Sequence, residues 1–115
     1  MYIYHMYSKE LTKGTLQPII LKLLSQHDKM YGYEITQKVK ELTKGELKIT
    51  EGALYPALHK LEAEGLLDVE VKKVDNRLRK YYKITENGEK ESSNKLNELA
   101  NYIATMQALV SLKLA

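Results

Sequence analysis

The chain contains no cysteine, which excludes disulfide bonds and thiolate zinc sites. This absence fits a reducing compartment, and we expect a cytoplasmic protein. Because no run of about 18 apolar residues occurs, no segment is predicted to span a membrane. The first residues, MYIYHMYSKELTKG, lack the charged start and the apolar stretch of a signal peptide. Met6 is a second candidate for the start of the chain.

Patterns typical of enzymes and metal sites are also missing. The histidines, His5, His27 and His59, are scattered and lack the spacing of metal ligands. Neither a Gly-rich phosphate loop nor a nucleophile elbow occurs. The sequence therefore predicts no catalytic activity, no metal site and no cofactor.

Positive charge is concentrated in one short segment. The 115 residues, enough for one domain, carry a formal net charge of only +3. Six basic side chains and one acidic side chain lie between Lys72 and Lys83, whereas acidic residues are in excess between Glu86 and Glu98. This separation of charge predicts a polyanionic partner.

Apolar residues at helical spacing predict three helices before residue 44. The first covers residues 3–11, and the second follows Thr15, which we expect to be its N-cap. The third extends from about Gly32 to Thr43. Its inward side chains are predicted to be Ile35, Val39 and Leu42.

A fourth helix is predicted to begin after its N-cap Thr50 and to end at Gly65, which suits a left-handed cap. Pro56 removes a helical hydrogen bond to the carbonyl of Gly52. We therefore expect either a bend or a helix whose regular part begins later than Thr50. The apolar face comprises Leu54, Ala57, Leu58 and Leu61.

The following residues predict a two-stranded hairpin with a basic tip. Apolar and polar residues alternate in residues 67–72 and again in residues 81–84. Asp75 and Asn76 between them suit a turn. By strand parity, Tyr82 belongs to the core and Tyr81 points away from it.

Thr85 is the predicted N-cap of a last helix that can continue to Ala115. Apolar residues on it step by three and four, as in a coiled-coil seam of about two heptads. Because a single helix would leave this seam in water, we predict that it pairs with a second chain. The seam comprises Leu96, Leu99, Ile103, Met106 and Val110.

The chain from about Gly14 to Gly88 resembles the PadR family of bacterial transcriptional regulators. The motifs that carry the resemblance are Tyr31-Gly32-Tyr33-Glu34-Ile35, Gly52-Ala53-Leu54-Tyr55-Pro56-Ala57-Leu58, Leu61-Glu62 with Gly65-Leu66, and Arg79-Lys80-Tyr81-Tyr82 with Ile84-Thr85 and Gly88. The chain departs from the family at the hairpin tip. Members often read Gly-Arg-Pro-Arg where this chain has Asn76-Arg77-Leu78-Arg79.

The resemblance implies an α+β, mainly α fold: a winged helix-turn-helix with a two-stranded wing and a long C-terminal dimerisation helix. We expect residues 1–85 to form the N-terminal helix and the DNA-binding domain, and residues 86–115 the dimerisation helix. The short C-terminal helix is similar to that of the small subfamily. The family likeness implies a homodimeric repressor that binds double-stranded DNA and whose affinity for its operator, as often in the family, responds to a small-molecule effector or to stress.

The recognition-helix candidate is the segment from Thr50 to Glu64, whose outer face we expect in the major groove. The predicted DNA contacts are Tyr33 on the preceding helix, Glu51, Gly52, Tyr55, Pro56, His59 and Lys60 on the recognition helix, and Lys73, Arg77, Arg79 and Lys80 on the wing. Each has a simpler interpretation. On composition alone the helix face is more typical of a solvated surface, edge lysines also prevent aggregation, and Tyr33 suits core packing.

A candidate effector pocket comprises Met6, Tyr7, Tyr102 and Met106, since flexible and aromatic side chains suit an adaptable cavity. The alternative is plain interface packing. Two other functions remain open: a winged-helix module that docks an acidic protein instead of DNA, and a MarR-like regulator.

Overall fold

The computed structural model of the chain describes residues 7–113, and within this range it contains five helices and three strands. These are α1 (Lys9–Lys13), α2 (Leu16–Gln26), β1 (Met30–Tyr31), α3 (Gly32–Leu42), α4 (Glu51–Ala63), β2 (Leu67–Val74), β3 (Arg77–Ile84) and α5 (Glu86–Val110). The helix predicted at residues 3–11 lies partly outside the described residues. Within them, α1 begins at Lys9.

The predicted N-caps of α4 and α5 are confirmed. The Thr50 side chain accepts a hydrogen bond from the Ala53 N–H, and the Thr85 side chain accepts one from the Gly88 N–H. Gly65 adopts the expected left-handed conformation, with φ of +76°. Thr15 is the N-cap residue of α2, as predicted, but its hydroxyl donates to the Thr12 carbonyl oxygen at 2.9 Å and accepts no hydrogen bond from the helix.

The sheet is antiparallel with strand order β1-β3-β2, and the predicted hairpin forms its larger part. Asp75 and Asn76 both have positive φ, 50° and 64°, as a tight two-residue hairpin turn requires. The sequence did not predict β1, which pairs Met30 with Tyr82 and Tyr31 with Tyr81. The winged-helix prediction is confirmed, with a third strand added to the wing.

The core lies between α2, α3, α4 and one face of the sheet, which we call the inner face. Tyr82 is buried there, as strand parity predicted. The fully buried apolar side chains also include Leu16, Ile20, Leu21, Leu24, Ile35, Leu54, Leu58, Leu61 and Leu67. The opposite, outer face of the sheet carries Tyr31 and Tyr81.

Two details of the predicted helices are wrong. Leu42 was expected inside but is 65% exposed, because it is the last residue of α3 and lies beyond Val39, the last buried position. The later start considered for α4 is also wrong, since the helix begins at Glu51 and includes Pro56. Thr50 caps the first turn by accepting from the Ala53 N–H, and Pro56 lies in the second turn.

Helix α5 packs against α2, and its buried residues, Gly88 and Ser92, lie in its first two turns. It ends at Val110 and not at Ala115 as predicted. The Leu112 N–H bonds to the Leu109 carbonyl oxygen at 3.2 Å, an i→i+3 bond that closes the last turn. Residues 114–115 lie outside the described range. No helix between residues 7 and 113 has the length and hydropathy needed to cross a membrane.

Candidate nucleic-acid interface

Helix α4 presents a continuous exposed stripe opposite its buried face. Leu54, Leu58 and Leu61 face the core, which leaves Gly52, Tyr55 and His59 on the outer side at i, i+3 and i+7. The Tyr55 and His59 rings are neighbours, with centroids 6.4 Å apart. Glu51 is exposed in the first turn. Gly52, Tyr55 and His59 therefore form one exposed face of α4, opposite the leucines that face the core.

Packing within the chain does not require the glycine at position 52. A Cβ added to Gly52 would find no heavy atom within 4 Å. The neighbouring Ala53, in contrast, is half-buried against the core. The open surface at Gly52 therefore allows another molecule to approach the α4 backbone closely.

Tyr55 links α4 to the start of α3. A Cβ at Gly32 would lie 2.5 Å from the Tyr55 hydroxyl oxygen, so only glycine accommodates this side chain without a shift. At the same helix start, the Tyr31 N–H donates to the Glu34 carboxylate at 3.1 Å. Tyr33 is exposed in the first turn of α3. The close approach of Tyr55 to Gly32 therefore joins α4 to the start of α3.

Pro56 and Lys60 lie on the flank of α4 rather than on the outer stripe. Both are exposed, and both line a cleft of about 920 Å³ between α1, α2, α4 and α5. Of the predicted effector residues, Tyr102 lines this cleft, whereas Tyr7 and Met106 are not among its lining residues. Met6 lies outside the described residues.

The four predicted wing residues lie on two different faces of the hairpin. Lys73 and Lys80 share the inner face, where they flank Val71 and Leu78 in the pairs Val71–Lys80 and Lys73–Leu78. Leu78 is 78% exposed beyond the edge of the core. This end of the wing therefore combines two exposed lysines with an apolar side chain.

Two of the four basic side chains that β2 and β3 place on the outer face, Lys72 and Lys83, have a carboxylate nearby. Lys72 Nζ lies 3.8 Å from a Glu70 oxygen, and Lys83 Nζ lies 3.9 Å from an Asp28 oxygen. Arg77 is exposed beside the turn and forms no ion pair within residues 7–113. The positive charge that remains available is therefore concentrated at the tip.

Arg79 lies among tyrosine side chains on the outer face. Its guanidinium carbon is 4.1 Å from the centroid of the Tyr31 ring, and its Nη1 is 3.5 Å from the Tyr81 hydroxyl. We call Tyr31, Tyr33 and Tyr81 the tyrosine cluster: Tyr31 stacks with Tyr33 at 6.5 Å and meets Tyr81 edge-on at 5.6 Å. Lys29 and Lys72 approach the Tyr81 ring at 5.6 and 5.9 Å.

The pKa shifts of this face follow from these contacts. The hydrogen bond with the Tyr81 hydroxyl raises the pKa of Arg79, which stays charged in any case. The hydrogen bond from Lys29, at 3.1 Å, lowers the pKa of Glu70. Burial raises the pKa of Tyr82, so this phenol remains neutral inside the core.

The tyrosine cluster and its cations were not identified from the sequence. Strand parity placed Tyr81 outside, and Arg79 shares that parity, but their neighbour Tyr31 belongs to a two-residue strand that has no readable periodicity. The exposure of Leu78 was also not predicted, because the sequence pattern does not show what an apolar residue at a hairpin tip contacts.

The predicted dimerisation seam divides into two parts along α5. Leu96 and Leu99 are half-buried near the body of the domain. Farther along, Ile103 is 57% and Val110 81% exposed, while Met106 is half-buried. Other apolar side chains exposed nearby are Leu11, Tyr102, Leu109 and Leu112. Within residues 7–113 no His, Asp and Glu side chains form a group suited to a metal ion.

Comparison with known proteins agrees with this architecture. The model of the transcriptional regulator PadR-like family matches residues 20–94, which include the helix-turn-helix, the wing and the start of α5. The chain is 38% identical over 79 residues to the transcriptional regulator Rv3488 of Mycobacterium tuberculosis. This match covers 66% of the chain and 71% of that protein.

Solved structures are similar over most of the chain. A transcriptional regulator from Clostridium thermocellum superposes with a TM-score of 0.81 at 29% identity, over 90% of this chain and 100% of that one. A PadR family transcriptional regulator from Eggerthella lenta superposes with a TM-score of 0.75 at 26% identity, over 90% and 88% of the two chains.

Proposed function

Because the chain belongs to the PadR-like family of transcriptional regulators, which are not enzymes, we propose that it is a repressor that binds a palindromic or near-palindromic operator as a homodimer. The observation that carries the proposal is the exposed stripe of α4 together with the basic tip of the wing. A helix stripe can enter the major groove while a charged hairpin contacts the adjacent backbone.

We assign each side chain of the proposed interface to bases or to phosphates according to its position and exposure. Gly52, Tyr55 and His59 face the bases, with Glu51 and Tyr33 at the edge of the groove. Lys73, Lys80 and Arg77 neutralise phosphates and supply affinity that does not depend on sequence.

The proposed dimer is formed by α5. Its exposed apolar side chains, among them Ile103 and Val110, need cover from water, and a second α5 supplies an equivalent stripe by two-fold symmetry. In this proposal residues 1–85 are the DNA-binding part and residues 86–115 the dimerisation part. Two recognition helices related by the two-fold axis then read half-sites about 34 Å apart.

We further propose that an effector acts at the junction between these two parts. The cleft of about 920 Å³ is bordered by Pro56 and Lys60 of α4 and by Tyr102 of α5. A ligand held there contacts the recognition helix and the dimerisation helix at once. Its binding changes the angle between the two DNA-binding heads and so alters the fit to the half-sites. The site of action is the cytoplasm.

A mobility-shift titration with the promoter region of the protein's own gene, at physiological salt, tests this function. A scrambled duplex of the same length and composition serves as the control. The proposal expects a discrete complex with the promoter at protein concentrations that leave the control unbound. Equal binding to both duplexes contradicts an operator-specific repressor. Binding to neither, at low salt as well, favours a module that docks an acidic protein.

A further inference from the structure

Arg79 differs from the other basic residues of the wing because its guanidinium is already engaged within the protein. It lies 4.1 Å from the Tyr31 ring centroid and is half-buried, whereas Lys73, Arg77 and Lys80 are exposed. A guanidinium over an aromatic ring is attracted by the ring's negative face. The planar group suits this stacking in a way that an ammonium does not.

The ring that Arg79 covers belongs to the start of the helix-turn-helix. Tyr31 is the N-cap residue of α3, and its N–H is held by Glu34. Arg79 belongs to β3, on the tip side of the Tyr31–Tyr81 pair. The contact between Arg79 and Tyr31 therefore joins the wing directly to α3.

The cross-strand arrangement gives a second reason for this contact. Arg79 is paired with Lys72, and like charges directly opposite each other destabilise a sheet. The two cations contact different rings of the tyrosine cluster, since Lys72 lies over the Tyr81 ring and Arg79 over the Tyr31 ring. Glu70 adds an ion pair to Lys72 at 3.8 Å. The two cations are thus accommodated within the protein, without a phosphate.

We infer that Arg79 is a positioning residue, which fastens the wing to the start of α3 and fixes the distance between the wing tip and the recognition helix, and that it is not a phosphate contact. The inference rests on the proposed DNA binding. Because the wing and α4 bind different parts of one duplex, a loosely held wing must be ordered at each binding event, which costs affinity.

The test is a set of anisotropy titrations of a labelled promoter duplex at several salt concentrations. The variants are Arg79→Ala, Arg79→Lys, Tyr31→Leu, Tyr31→Phe and the double variant Tyr31→Leu/Arg79→Ala. Arg77→Ala, on the same face two residues nearer the tip, is the matched control. Loss of one phosphate contact lowers the slope of log affinity against log salt by about 0.9, whereas loss of a positioning contact leaves the slope unchanged.

We expect Arg79→Ala to weaken promoter binding about tenfold with an unchanged salt slope. Arg79→Lys should lose most of the same affinity, because lysine keeps the charge but lacks the planar group that stacks on the ring. Tyr31→Leu gives a similar loss, the double variant is little worse than either single one, and Tyr31→Phe binds as the wild type does. Arg77→Ala alone lowers the slope.

Wild-type affinity in Arg79→Lys together with a reduced slope in Arg79→Ala identifies a phosphate contact and overturns the inference. Full affinity in Arg79→Ala, or additive losses in the double variant, overturns it as well.

Amide hydrogen exchange of the protein without DNA separates this inference from the proposed function. Arg79→Ala and Arg79→Lys should accelerate exchange several-fold in residues 80–82 of β3, the part of the wing that pairs with β1, and Arg77→Ala should not. If the wild type binds no duplex, the proposed function fails while faster exchange still supports the fastening role. Unchanged exchange in both Arg79 variants contradicts it.

Discussion

Two glycines in the first turns of helices have opposite surroundings. At Gly88 of α5, a Cβ would overlap the Leu66 carbonyl oxygen and lie 2.6 Å from the Ile84 Cγ1 atom. The same Leu66 oxygen accepts the Thr85 N–H at 3.0 Å, so it is not free to move. At Gly52 of α4, the corresponding space is open. Close docking of α5 on the sheet therefore depends on glycine at position 88.

We expect Gly88→Ala to destabilise the protein by about 1–3 kcal/mol, because the added methyl group overpacks a rigid backbone contact. Gly52→Ala is the matched control and should leave stability unchanged or raise it by about 0.5–1 kcal/mol through helix propensity. Urea unfolding at one fixed protein concentration measures both. Equal stability of the two variants would contradict the close contact at Gly88.

The ion pair between Lys29 and Glu70 predicts a small dependence of stability on pH. Since the pKa of Glu70 is lowered from its ordinary value of 4.5 in the folded state, the stabilisation is present above that value. It is lost as the pH falls through the folded pKa.

Unfolding midpoints between pH 7 and about pH 3 test this pair. Glu70→Gln should be less stable than the wild type near neutral pH, and the difference should disappear in acid. Glu64→Gln, at the exposed end of α4, serves as the charge-matched control. A difference that persists unchanged at the lowest pH would rule out the ion pair as its source.

Single residues also show where sequence reasoning ends. Tyr82 was placed correctly because strand parity decides which face a side chain occupies. Parity does not say what lies over the opposite face, so the contact of Arg79 with Tyr31 could not be predicted. Leu42 was misplaced because helical periodicity continues to the last residue of α3, whereas the core does not.

At the level of elements, the hairpin and α4 were predictable because local signals agree with the fold. Thr50 and Gly65 mark the limits of α4, and Asp75-Asn76 supplies the left-handed turn of the wing. Strand β1 was not predictable, since its two residues are paired only through β3, about fifty residues away along the chain.

The wing makes a prediction of its own. Because Arg77 is exposed at the tip without an ion pair in the described chain, Arg77→Ala should weaken binding to promoter and scrambled duplexes alike and lower the salt slope by about 0.9. Lys83→Ala is the control, since Lys83 lies near Asp28 at the far end of β3. An unchanged slope in Arg77→Ala would exclude the proposed phosphate contact.

At the scale of the whole molecule, α5 has two different parts that the sequence pattern combined into one seam. Its first turns pack on the domain, around Gly88 and Ser92, and its distal half exposes Ile103 and Val110. A heptad pattern records apolar positions only, and cannot tell a stripe that packs on its own domain from one that packs on a second chain.

A charge in the distal seam should prevent assembly. Ile103→Glu buries a carboxylate in the proposed helix pair, so we expect monomers at micromolar concentration and operator affinity reduced by at least tenfold. Asn101→Glu, on the opposite side of α5, introduces the same charge and should remain dimeric. An intact Ile103→Glu dimer in sedimentation velocity would place the interface elsewhere.

The central claim is that a homodimer binds one operator duplex. Its most direct test is sedimentation equilibrium of the protein with a labelled promoter duplex. The account predicts two chains per duplex at saturation for the wild type, bound in a single cooperative step. One chain per saturated duplex, or free duplex at every protein concentration in low salt, would contradict it.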